Sequence, residues 1–172
     1  MTQQTGTGRP RVVVGVDGSS GARAALRFAL EDAARRGVPL EVVAAYRPPE
    51  EWLDFYVVRD VDVDPIERTA RERAQALLDE VLPAVPRPPA EVAVRAVLGT
   101  AADVLVRESA GADLLVVGSR GHGGFSSVLL GSVGLQCVLH ATCAVTVVHS
   151  PEAHRQRWLH RQPARRGRSA VS

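Results

Sequence analysis

Four glycines fall within seven positions, at Gly118, Gly121, Gly123 and Gly124, and a Gly131-Ser132 pair follows shortly after. Without a Cβ, glycine tolerates positive φ and lets a ligand approach the backbone amides. The run leading in, Asp113 to Val117, is apolar and has no helical period, as expected for a strand buried on both faces. A helical pattern begins after Gly131, carried by Val133, Gln136, Cys137 and His140. The first N–H groups of a helix have no intrahelical acceptor, and the dipole favours negative charge there. Strand, glycine loop and helix start together read as a phosphate-binding device. The amides around Gly121 and at Gly131, Ser132 and Val133 would hold the phosphates, with Val117, Ser119, Arg120, His122, Ser126 and Ser127 alongside. Arg120 and the Ser126 and Ser127 hydroxyls could add contacts.

A second signal-rich segment lies near the start, Gly15-Val16-Asp17-Gly18-Ser19-Ser20. It follows Arg11 to Val16, a strand filled by β-branched Val12, Val13, Val14 and Val16. Asp17 puts a carboxylate at the strand end, and Ser19 or Ser20 can cap the helix expected over Gly21 to Arg36. Its inner stripe is Ala25, Phe28, Ala29 and Ala33, and Gly37 closes it. Leu40 to Tyr46 reads as the second strand, stopped by Arg47-Pro48-Pro49. Glu50 to Asp64 reads as a long excursion with one short helical turn. Pro65 to Leu82 is the second helix, with Ile66, Ala70, Ala74, Leu77, Leu78 and Val81 facing inward. After a proline-rich link, Glu91 to Leu98 alternates as an edge strand, with Val92, Val94, Ala96 and Leu98 on one side. Thr100 and Asp103 resemble a capping box opening a third helix that runs to Gly111. The fourth helix covers Ser132 to His140, and Ala144 to Val148 is the fifth strand.

This β-α-β-α-β-α-β-α-β order predicts an α/β fold: an open parallel five-stranded sheet with right-handed crossovers and helices on both faces. In a flavodoxin-like order, 3-2-1-4-5, the two signal-rich loops follow adjacent strands at the switch point, where such sheets bind ligands. Residues 1–10 read as a disordered segment, 11–150 as the nucleotide-binding domain, and 151–172 as an arginine-rich tail with one short helix near Trp158.

Composition narrows the function. Hydrophobic residues make up 45% of the 172, enough for a sizeable core. The net charge of +2 does not demand a nucleic-acid partner, although the tail concentrates six arginines against one acid, Glu152. There is no lysine, which excludes a G-x4-G-K-[ST] phosphate loop. Cys137 and Cys143 match neither a redox nor a zinc spacing and read as small buried hydrophobes. No apolar run reaches the roughly 18 residues of a membrane span. The polar start lacks the apolar region of a signal peptide, so a cytoplasmic location is the expectation. His122 tempts a catalytic assignment, but neither a nucleophile nor an orienting carboxylate is evident beside it. His140 and His149 stand at element ends and read as structural.

Gly118-x2-Gly121-x9-Gly131-Ser132 resembles the ATP-binding signature of the universal stress protein family, G-x2-G-x9-G-[ST], and the resemblance covers roughly residues 10 to 150. It implies the ATP-binding subclass: a nucleotide-dependent stress-response sensor or regulator. It places Asp17 near the adenosine, where its carboxylate could also help hold Mg2+. Gly15 and Val16 line the adenine side, Ala45 matches a position that contacts adenine through its backbone, and Gly99 matches the glycine after the third strand. The resemblance also implies a homodimer through residues 144–148. Ala101 and Ala144 stand where relatives often carry proline, and Ala44 where histidine is frequent, which leaves base preference less secure than phosphate binding. Competing readings are an AMP or cyclic-AMP module, a slow Mg2+-dependent ATPase, and an interaction protein working through its tail. Nothing in the sequence resembles a water-activating base, so an enzyme is not the leading expectation.

Overall fold

The computed structural model describes residues 9–48, 64–119 and 130–150. Nine regular elements alternate along them: β1 (Val12–Gly15), α1 (Ser20–Arg36), β2 (Leu40–Tyr46), α2 (Asp64–Val81), β3 (Val92–Leu98), α3 (Ala101–Glu108), β4 (Leu114–Gly118), α4 (Ser132–His140) and β5 (Ala144–Val148), with a 3-10 turn over Leu82–Ala84. The five strands form one sheet in the order β3-β2-β1-β4-β5, and every neighbouring pair is parallel. This is the architecture read from the sequence, including the switch point between β1 and β4.

The strands are valine-rich because both faces are covered. On one face Val12, Val14, Leu40, Val42, Leu114 and Val116 pack with Ala25, Leu26, Ala29 and Leu30 of α1 and Leu77 and Leu78 of α2. On the other, Val13, Val43, Leu115 and Val117 pack with Val104 and Leu105 of α3 and Cys137 of α4. Side chains alternate along a strand, so consecutive valines feed opposite cores. Each fully buried Val or Leu contributes about 1.5–3 kcal/mol.

The helix ends follow local chemistry. Ser19 is the N-cap of α1, its Oγ accepting from Ala22 N at 3.1 Å, and Gly37 closes that helix at φ 67°. Thr100 caps α3: its Oγ1 accepts from Asp103 N at 3.3 Å and donates to the Asp103 carboxylate at 2.6 Å. The Asp103 carboxylate therefore meets the Thr100 hydroxyl in the cap. α3 ends at Glu108, short of the expected Gly111, and the chain continues in tighter turns, Ala110 N–H donating to Arg107 O at 3.2 Å and Ala112 N–H to Ser109 O at 3.0 Å; the Arg11 guanidinium donates to the carbonyls of Glu108 and Ala110 at 3.0 and 3.1 Å. A cation on the last carbonyls satisfies groups that would otherwise be orphaned. Arg23 of α1 and Glu80 of α2 form a bidentate pair, both contacts 2.9 Å, on the outside of that layer.

Leu98, read on the same side of the edge strand as Val92, Val94 and Ala96, is 49% exposed, at the end of a strand with a neighbour on one flank only. One expectation is corrected by packing. Ile66 and Ala70 were assigned to the core side of α2; they are only partly buried and line a cavity instead. The excursion from Glu50 as far as residue 63, and the tail after Ser150, lie outside the described residues.

Candidate nucleotide site

The carboxyl ends of β1 and β2 and the first half of α2 enclose a cavity of about 480 Å³, within the range typical of small-ligand sites. From β1 it is walled by Val16, Asp17 and Gly18, from β2 by Ala44 to Arg47, and from α2 by Ile66, Thr69, Ala70 and Arg73 among others. The last four recur at helical spacing, so one face of α2 looks into the space. Asp17 is exposed, and its Oδ1 accepts from Ser19 N at 3.0 Å, folding the β1–α1 turn over Gly18 at φ 82°. The Tyr46 hydroxyl donates to the Glu67 carboxylate at 3.3 Å. Burial, and then the nearby Glu67 and Asp64 carboxylates, push the Tyr46 pKa above its ordinary value.

Across β1, the end of β4 and the start of α4 make the second half of the region. Gly118 is pressed against the beginning of α1: a Cβ there would lie 2.6 Å from Gly21 C and 2.8 Å from Gly21 O. Ser119, 1% exposed, is tied on both sides, its N–H donating to Val148 O and its carbonyl accepting from Gly131 N, each at 2.8 Å. This pair of bonds sets where α4 begins. Gly131 is the α4 N-cap, with no side-chain cap hydrogen bond. Its own amide is committed to Ser119, so the amides of Ser132, Val133 and Gly134 are the first-turn donors left without an intrahelical acceptor. Ser132 is exposed there, and Val133 packs against the second core.

The predicted residues therefore separate into four groups. Val16, Asp17 and Ala45 line the cavity. Val117, Gly118, Ser119, Gly131, Ser132 and Val133 follow one another along the β4–α4 passage, with Val117 buried in the core. Gly15 and Gly99 are not among the cavity residues: Gly15 faces the Leu105 side chain, and Gly99, at φ 141°, donates to Tyr46 O at 2.9 Å. Arg120, Gly121, His122, Ser126 and Ser127 lie outside the described residues. The α2 wall, Ile66, Thr69, Ala70 and Arg73, was missed as a site. Its only sequence signal was an arginine on an otherwise small and apolar stripe. Among the described residues no group of three or more His, Cys, Asp or Glu could hold a metal ion, and no helix is long and apolar enough to cross a membrane.

A family model described as the universal stress protein family matches residues 8–149. A universal stress protein of Mycobacterium tuberculosis is 32% identical over 154 residues, covering 85% of this chain and 52% of its own length. The chain thus spans about half the length of the curated relatives it matches. Among solved structures, a universal stress protein in complex with cAMP is 29% identical with a TM-score of 0.54, covering 84% of this chain and 99% of that one. The universal stress protein of Archaeoglobus fulgidus in complex with dAMP is 25% identical with a TM-score of 0.55, covering 81% and 98%. With the family model spanning most of its length and the 3-2-1-4-5 sheet in place, this chain belongs to the universal stress protein family.

Proposed function

We propose that this chain binds an adenine nucleotide, ATP with Mg2+, at the carboxyl ends of β1, β2 and β4, and acts as a nucleotide-dependent regulator of a stress response. The observation that carries this reading is the pairing of a base-sized cavity beside β1 with uncapped α4 amides beside β4, on either side of the switch point. The base and ribose would occupy the cavity against Val16, Asp17 and Ala45. The phosphates would reach the amides from Ser132 onward, with Arg120, Gly121, His122 and Ser126 as the further phosphate ligands that the sequence nominates. Asp17 is one carboxylate, and a Mg2+ ion commonly takes one or two carboxylates plus phosphate oxygens, so the residues present fit such an ion. Bound there, the ion would supply charge neutralisation of the phosphates.

Titration of the purified chain with ATP, AMP and cyclic AMP, with and without Mg2+, tests the reading. Ser132→Asp sharpens it. A carboxylate in the first turn suits the helix dipole and leaves α4 intact, yet repels phosphate. The expected result is a folded variant with ATP affinity reduced at least about tenfold. Wild-type chain that binds no nucleotide overturns the proposal.

A monophosphate or cyclic AMP is the second reading, favoured by the relatives solved with cAMP and dAMP. Tighter binding of either than of ATP would replace the first reading with this one. We assign the dimer contact to β5. It is an edge strand, and α4 beside it exposes Leu135, Val138 and Leu139 at 46, 48 and 62%. A second copy of the chain would cover both.

A further inference from the structure

The cavity wall contains few side-chain donors that remain to be used. The Thr69 hydroxyl donates to Pro65 O at 2.8 Å, and the Tyr46 hydroxyl donates to Glu67. Ala44 and Ala45, at the end of β2, present only methyl groups. Arg73 differs. It lines the cavity from α2, and among the described residues it has no hydrogen bond or ion pair. Most other described arginines are paired: Arg23 with Glu80, Arg27 with Glu31, Arg35 and Arg36 with Asp32, and Arg95 with Glu108. Arg68, Arg71 and Arg87 also lack a partner, but they do not line the cavity.

A guanidinium has five donors and no acceptor, in a fork that matches two adjacent acceptors. Guanine presents such a pair, O6 and N7, and Arg is the side chain that most often reads it. Adenine presents N7 beside an amino group, a donor facing a donor.

The geometry points to Arg73 as a specificity-determining residue, through which the cavity accepts guanine nucleotides in competition with adenine nucleotides. This rests on the nucleotide-binding reading above and names the base that the same site takes.

Competition on the full chain tests it, with a fluorescent ATP analogue displaced by ATP and by GTP. Wild-type chain is expected to bind GTP within about tenfold of ATP. Arg73→Gln is expected to lower the ratio of GTP to ATP affinity by roughly 5- to 150-fold, the discrimination carried by one bidentate base contact. Arg73→Lys keeps the charge but loses the fork, and is expected to follow Arg73→Gln. Arg73 is exposed, so melting temperatures of both variants should match wild type and exclude misfolding. GTP that fails to displace the probe, or ATP and GTP weakened equally, overturns the inference while nucleotide binding stands. Failure of both ATP and GTP to bind the wild-type chain removes the nucleotide reading itself.

Discussion

A methyl group at Gly118 would lie 2.6 Å from the carbonyl carbon of Gly21, which is backbone and cannot swing aside. The glycine that opens the G-x2-G-x9-G-S spacing is therefore required by the approach of α1 to β4 before any ligand is considered. Gly118→Ala is expected to destabilise the nucleotide-free protein by about 1–3 kcal/mol, the usual cost of overpacking. Urea unfolding of the empty chain measures it. An unchanged midpoint would return Gly118 to a purely ligand-facing role. Ser132→Asp is for this reason the cleaner probe of phosphate binding. The two cysteines separate in the same local way. Cys137 is fully buried, and burial, then the neighbouring Cys143, raises its thiol pKa to about 11. Cys143 is only partly buried. Iodoacetamide at neutral pH is expected to modify Cys143 and to reach Cys137 only after denaturation, read by mass of the labelled peptides.

At the scale of elements, apolar faces hold the helices on the sheet, and local polar contacts set some of the helix ends. Thr100→Ala removes the α3 cap and is expected to cost about 1 kcal/mol, seen as a lower melting temperature. The start of α2 is joined to the end of β2 by Tyr46 and Glu67. The phenol has a raised pKa in the folded protein, so its protonated form is the one folding favours. The stability it contributes is complete below the unfolded value near 10 and declines as pH rises through the folded value. Tyr46→Phe is expected to flatten that alkaline loss, measured as denaturation midpoints from pH 8 to 11 against wild type. The elements were largely legible in the sequence, because valine runs, Ser19, Gly37, Thr100 and the prolines act over a few residues. The Arg11 guanidinium at the carbonyls after α3 was not, because Arg11 lies far along the chain.

For the whole molecule, the switch point between β1 and β4 brings the Asp17 turn and the α4 start to either side of one strand boundary. Association is a property at this scale too. Among the described residues β5 is an edge strand beside an apolar helix face, and such an edge invites pairing. The chain is expected to sediment as a dimer, and Leu139→Arg to shift it toward monomer with little change in melting temperature. A wild-type monomer at all concentrations would remove the β5 contact.

Strand order, the switch point and the G-x2-G-x9-G-S spacing were determined by the sequence alone. Periodicity, caps and glycine placement are local, and the handedness of β-α-β crossovers leaves few ways to assemble them. The tertiary structure decided which of those residues share a space. It turned Ile66 and Ala70 from core positions into cavity wall, committed the Gly131 amide to Ser119, and gave Gly118 a packing role. It also put Arg73, with no ion-pair partner among the described residues, on the wall of the cavity that Asp17 lines. These outcomes depend on where α2 and α4 dock against the sheet, and docking is a balance of contacts between residues far apart in the chain, which no local pattern encodes.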